Sequence, residues 1–187
     1  MRVVGLLILL TWGIPAIPQD GRMDVKRPFV ITDAIALPLS SAQIFNEALK
    51  QWRYTFGQEP GANLVMQDTA TGTIQGTARI NFRSSGLGSR EETMGVITYE
   101  VAIQAENGQC RVRTSHFQHT GNRNSIGGGI DLGLLYAGDR PQEKIPGISM
   151  GTAQRLHADM CRRAQVHIGE VIKTFAARMR RAAGQKQ

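Results

Sequence analysis

The sequence predicts an α+β domain: a mainly antiparallel sheet with two amphipathic helices packed on one face, in the order β-α-β-β-β-β-α. Three observations carry this. Thr73 to Phe82 alternates Ile74, Gly76, Ala78, Ile80 and Phe82 against Thr73, Gln75, Thr77, Arg79 and Asn81, the period-two pattern of a half-buried strand. Asn107-Gly108 separates two further alternating runs, and because a tight turn needs positive φ at both central residues, those runs form a hairpin. Two other segments repeat apolar residues at spacings of three and four, which places them on one side of a helix. A chain of 187 residues, 41% hydrophobic and 20% charged, can bury one such core and does not have a disordered composition.

The elements follow in order. Met1-Arg2, the apolar run Val3 to Leu10, and then small residues and prolines have the layout of a secretory signal, so residues 1–18 are predicted to be a signal peptide. The run is shorter than the roughly 18 residues of a membrane span, and no cysteine follows it to carry a lipid anchor. Residues 19–28 read as a linker and 29–183 as a single domain. Phe29 to Leu37 is a β-branched run ending at Pro38, a first strand; Asp33, on its apolar parity, marks a bulge, a shifted register or a partnered buried carboxylate. Ser40 or Ser41 then caps a helix of about four turns bearing Ile44, Phe45, Ala48, Leu49, Trp52 and Phe56 on one side. After a turn at Gln58 to Ala62, Asn63 to Asp68 is a short strand, and Ala70 to Gly72 turns into Thr73 to Phe82. In that strand Gly76 is inward, where a missing side chain lets a helix approach.

Residues 83–93 are a polar connection. Met94 to Ala105 points Ile97, Tyr99, Val101 and Ile103 to one side, and Gln109 to His119 returns with Cys110, Val112 and Thr114 opposite Arg111, Arg113, Ser115 and Phe117. Residues 121–151 form an irregular glycine-rich insertion, long enough to be either functional or mobile. Thr152, as N-cap, opens a closing helix to Ala183 with Leu156, Met160, Ala164, Ile168, Val171, Ile172, Phe175 and Met179 as its stripe; Gly169 inside it marks close packing.

Charge is concentrated. Residues 20–149 hold 13 Lys and Arg against 13 Asp and Glu, whereas residues 150–187 hold 8 against 2, so nearly all the net +7 belongs to the closing helix. Arg155, Arg162, Arg163 and Lys173 form a basic face that is either solvated or touches anionic lipid or polymer. If the chain is exported, Cys110 and Cys161 lie where a disulfide can persist, closing a loop of about 50 residues; the alternative is two buried, unpaired thiols.

The segments VITDAIALPLSSAQIFNEALKQW, TGTIQGTARINF and GVITYEVAIQAENGQCRVRTSHF, behind an N-terminal signal, resemble a bacterial family of exported proteins, a domain of unknown function with a TATA-binding-protein-like (TBP-like) fold, DUF4468. The likeness covers residues 29–119 and extends less fully to the final helix. It implies a TBP-like sheet and an exported, periplasmic or envelope location. It implies no activity and no catalytic residues, and the fold name does not import DNA binding, so nucleic acid is not an expected partner.

No catalytic residue, cofactor or metal is assigned. His116 and His119 point to opposite faces of a strand, and His157 and His167 are too far apart along a helix to chelate together. The glycines of DTATGTIQG precede a strand and lack the Lys-Ser/Thr of a phosphate loop. The leading expectation is a non-catalytic module that binds a protein or envelope polymer through the open sheet face, at Thr77, Arg79, Thr98, Arg111 and Arg113, through the 121–151 loop, or both. The alternatives are a membrane or polyanion contact through the basic helix, and a hydrolase with Arg79, Arg111, Arg113 and His116 around an anionic envelope substrate.

Overall fold

A computed structural model describes residues 27–84, 91–125, 128–138 and 144–185. The predicted signal peptide and most of the linker lie outside these residues. The elements are β1 (Ile31–Ala36), α1 (Ser41–Trp52), β2 (Asn63–Asp68), β3 (Thr73–Phe82), β4 (Gly95–Glu106), β5 (Gln109–Gly121), β6 (Gly133–Leu134) and α2 (Met150–Gly184). One antiparallel sheet has the order β1-β5-β4-β3-β2, with β6 continuing the β1 edge beside β5. The predicted α+β architecture is present, with β6 as an added two-residue strand.

Both helices cover the same face. Ile74, Ala78, Ile80 and Phe82 of β3 and Ile97, Tyr99, Val101 and Ile103 of β4 are buried beneath Ile44, Phe45, Ala48 and Trp52 of α1 and the Leu156 to Met179 stripe of α2. Gly76 is inward, as expected: a Cβ there would run into the Trp52 ring and would sit 2.7 Å from the Asn63 carbonyl oxygen. Trp52 therefore lies flush on β3. The expected helix over Phe56 stops at Trp52; Phe56 instead occupies a 3-10 turn, stacked on Trp52 and packed on Phe175 at 5.4 and 5.7 Å.

Several expectations are corrected. Ser149, not Thr152, caps α2: its hydroxyl accepts the Thr152 N–H at 3.2 Å, so the helix begins at Met150. Gly169 has open space around it and marks no close packing. Asp33 is neither bulged nor buried. It keeps regular register opposite Val112, is exposed because β1 is an edge, and accepts the Ala34 N–H at 2.8 Å. A charge on the inward parity of an edge strand discourages edge-to-edge pairing.

The disulfide is absent and both cysteines are free. Cys110 pairs with Ile35 and Ala105 at the hairpin end of β5, whereas the Cys161 thiol lies 3.9 Å from the Tyr136 carbonyl, beside the Phe117 level of the strand. Those levels are about 20 Å apart along β5, beyond the roughly 7 Å Cα reach of a bridge. Burial pushes both thiols up to about 12, which keeps them as protonated core groups.

The described part of the 121–151 insertion is packed rather than free. Leu132, Leu135 and Ile145 are buried, the Leu135 N–H donates to the Phe117 carbonyl at 2.7 Å, and Tyr136 bridges to Pro28. No helix among the described residues is long and apolar enough to cross a membrane.

Candidate functional site

The outer face of the sheet has no element over it among the described residues. Arg79, Thr98, Glu100, Arg111 and Arg113 are exposed and Thr77 is half-buried. Strand register shows which of them meet. Thr77 lies opposite Glu100, which lies opposite Ser115; Gln75 lies opposite Ala102, which lies opposite Arg113. These two rows, with Val65 and His116, line a depression of about 220 Å³.

Arg79, Thr98 and Arg111 fall outside it. Arg79 shares a row with Thr98 and Gln118, about 14 Å along the strands from the Arg113 row and two strands away, and its side chain lies along Gly61. Arg111 is engaged by Glu106 at 3.2 Å near the hairpin turn. Arg79 is therefore separated from Arg111 and Arg113, which stand two residues apart on the same face of β5, and of the three only Arg113 lines the depression.

A β-bulge builds the far wall. Between Thr98 and Glu100 the register with β5 shifts, and His116 takes a left-handed backbone at φ +53°, the one non-glycine residue with positive φ among the described residues. Such a conformation costs an L-residue about 1–2 kcal/mol. The extra residue inverts everything after it. Phe117 and His119, expected outward and unassigned respectively, turn into the core, and His116 turns out onto the open face. His116 and His119 thus lie on opposite faces.

His116 Nδ1 is 2.9 Å from Glu100 Oε2 and 3.4 Å from Ser115 Oγ. A nucleophilic triad needs the acid on one ring nitrogen and the hydroxyl on the other. Here both lie at Nδ1, so Nε2 is not aimed at the Ser115 hydroxyl and the triad geometry is not formed.

A second depression, about 190 Å³, lies between the start of α1 and the β2–β3 turn, against Thr71 and Gly72. It is not a phosphate cradle. The Ser41 N–H already donates to Asn107 Oδ1 at 2.9 Å and the Gln43 N–H to the Ser40 hydroxyl. Asp68 closes the turn by accepting the Ala70 N–H and the Thr71 hydroxyl, and these bonds hold its carboxyl below the usual range.

On α2, Arg162 pairs with Asp159 and Lys173 with Glu170, while Arg155 and Arg163 are exposed. The apolar stripe of this helix is spent on the sheet, which leaves Val166 as the one large apolar side chain exposed along its middle. His167 contacts Glu59, joining α2 to the turn before β2. No cluster of three or more potential metal ligands occurs among the described residues.

This fold and this bare sheet face define a TBP-like α+β domain. The family model that matches is a domain of unknown function (DUF4468) with TBP-like fold, over residues 33–120, which bears out the resemblance read from the sequence for that segment. Two solved structures share the architecture. A DUF4468 family protein from Bacteroides ovatus is 18% identical, with a TM-score of 0.52 over 78% of this chain and 85% of its own. A TBP-like protein from Parabacteroides distasonis is 12% identical, with a TM-score of 0.51 over 78% of this chain and 91% of its own. At these identities the likeness is one of fold. A comparison with curated proteins finds no match.

Proposed function

We propose that the protein is an exported, non-catalytic binding module of the cell envelope that holds its partner on the outer face of the sheet. The observation that supports this is the depression between Val65 and Arg113, on a face that no described element covers. The insertion at 121–151 is a weaker candidate, since its described apolar residues are committed to the core. The layout of residues 1–18 supports export.

A photo-crosslinking residue placed in turn at Thr77, Thr98 and, as a control on the solvent side of α2, Arg163 tests the surface in cells making the full chain. Adducts from positions 77 and 98 but not 163 are expected. Adducts from 163 alone would move the binding surface to the basic helix, and fractionation of the same cells reads the location.

A further inference from the structure

Resting on the reading of the sheet face as the binding surface, we propose that the depression takes an extended, acidic segment of a partner protein, with an apolar residue about four positions from its carboxylate. The charge of the face sets the first half. Its carboxylates are engaged, Glu100 by His116 at 2.9 Å, Glu106 by Arg111 at 3.2 Å, and Asp68, at the β2–β3 turn, by the Thr71 hydroxyl at 2.7 Å. Arg113 faces Ala102 on one side and Thr32 on the other, and has no ion-pair partner among the described residues. A guanidinium with its donors free beside the Ser115, Thr77 and Gln75 side chains is built to receive a carboxylate.

The other end of the depression sets the second half. Val65 is bulged out of β2 between Leu64 and Met66 and is 61% exposed, with Met66 at 38%. An edge strand normally carries charge where it is bare, as β1 does at Asp33; β2 has its one charge, Asp68, at the turn end and presents apolar Val65 and Met66 along its middle. An acidic polysaccharide has no group for that end, whereas a peptide offers both. Val65 and Arg113 are three strands apart, about 14 Å at the usual strand spacing, which an extended chain spans in about four residues. His116 is held toward this path by a backbone that glycine would adopt more easily, so the bulge keeps an imidazole where the ligand would cross.

The test is fluorescence polarisation of the full chain with labelled peptides carrying one Glu and one Leu, separated by two to six positions in a Ser/Thr/Gly background. Tightest binding is expected near a separation of four. Arg113→Gln, or Glu→Gln in the peptide, should weaken it about tenfold, the loss of one charged hydrogen-bond pair. Val65→Ser should weaken it several-fold, and Arg163→Gln should leave it unchanged. All three altered side chains are exposed, so unchanged unfolding midpoints serve as the fold control. Binding with no preferred spacing, equal binding by Arg113→Gln, or no binding by any peptide overturns the proposal. So does Arg113-dependent binding of polygalacturonate or of phosphatidylglycerol vesicles in place of the peptides. If crosslinks at Thr77 and Thr98 persist while the peptides fail, the ligand chemistry is wrong and the surface stands; if the crosslinks vanish, both fall.

Discussion

His119 gives the sharpest test of the core. Its ring is buried, packs edge-on against Phe82 at 5.7 Å, and accepts the Leu132 N–H at Nδ1, while Nε2 lies against Gly95 with no hydrogen-bond partner. Burial is the larger influence and Asp131 a smaller opposing one, and together they lower its pKa from 6.5 to about 4. The unfolded chain therefore binds a proton near pH 6.5 that the folded chain refuses until about pH 4. His119 weighs nothing against the fold above the first value and progressively more as pH falls toward the second. Between pH 7.5 and pH 5 the loss is about 2 kcal/mol, approaching a limit of about 3 kcal/mol below pH 4. Urea unfolding followed by Trp fluorescence reads this as a midpoint about 1 M lower at pH 5. Other groups titrate in the same window, so the comparison is with His119→Leu, whose midpoint should fall by about 1 M less over the same range. Parallel slopes for the two proteins, or a wild type that grows more stable as pH falls, would mean that the ring is protonated and paired with Asp131, which refutes the assignment of a neutral core histidine.

Three further outcomes follow from local geometry. Gly169→Ala should raise stability by about 1 kcal/mol, because the added methyl meets open space in the middle of a long helix; a lower thermal midpoint would contradict that. Gly76→Ala should cost about 1–3 kcal/mol, since the Cβ collides with Trp52 and the Asn63 carbonyl; near-neutrality in urea titration would show that α1 can lift off β3. His116→Gly should hold or raise stability by up to about 1 kcal/mol by relieving the left-handed backbone, whereas His116→Ala retains it. A midpoint for the glycine variant below that of the alanine variant would show that the strain is not at that residue.

Much of this fold was legible because its signals are local. Asn63–Asp68 and Thr73–Phe82 have the predicted ends, since a glycine turn and a clean alternation bound them, and the Asn107-Gly108 turn joins β4 to β5, although only Gly108 of the pair takes the positive φ expected of both. The candidate site was less legible. The Thr77 and Arg113 positions were found by parity, but the distance of Arg79 from Arg113 depends on register between strands, which no single strand encodes. The bulge at His116 also escaped alternation, although a trace of it is present. Inward residues at 110, 112 and 114 are followed by an aromatic at 117, a step of three where two was due. β6 is two residues long and arises from backbone pairing with β5, too short to leave any periodicity.

The bulge has a consequence for what kinds of change this chain tolerates. Downstream of His116 every side chain in β5 takes its face from a count rather than from its own chemistry. Straightening the bulge at unchanged length would send Phe117 and His119 to water and drag Gln118 and Thr120 into the core, whereas excising His116 restores plain alternation and leaves both inside. Loss of the extra residue thus takes away an outward imidazole and spares the core.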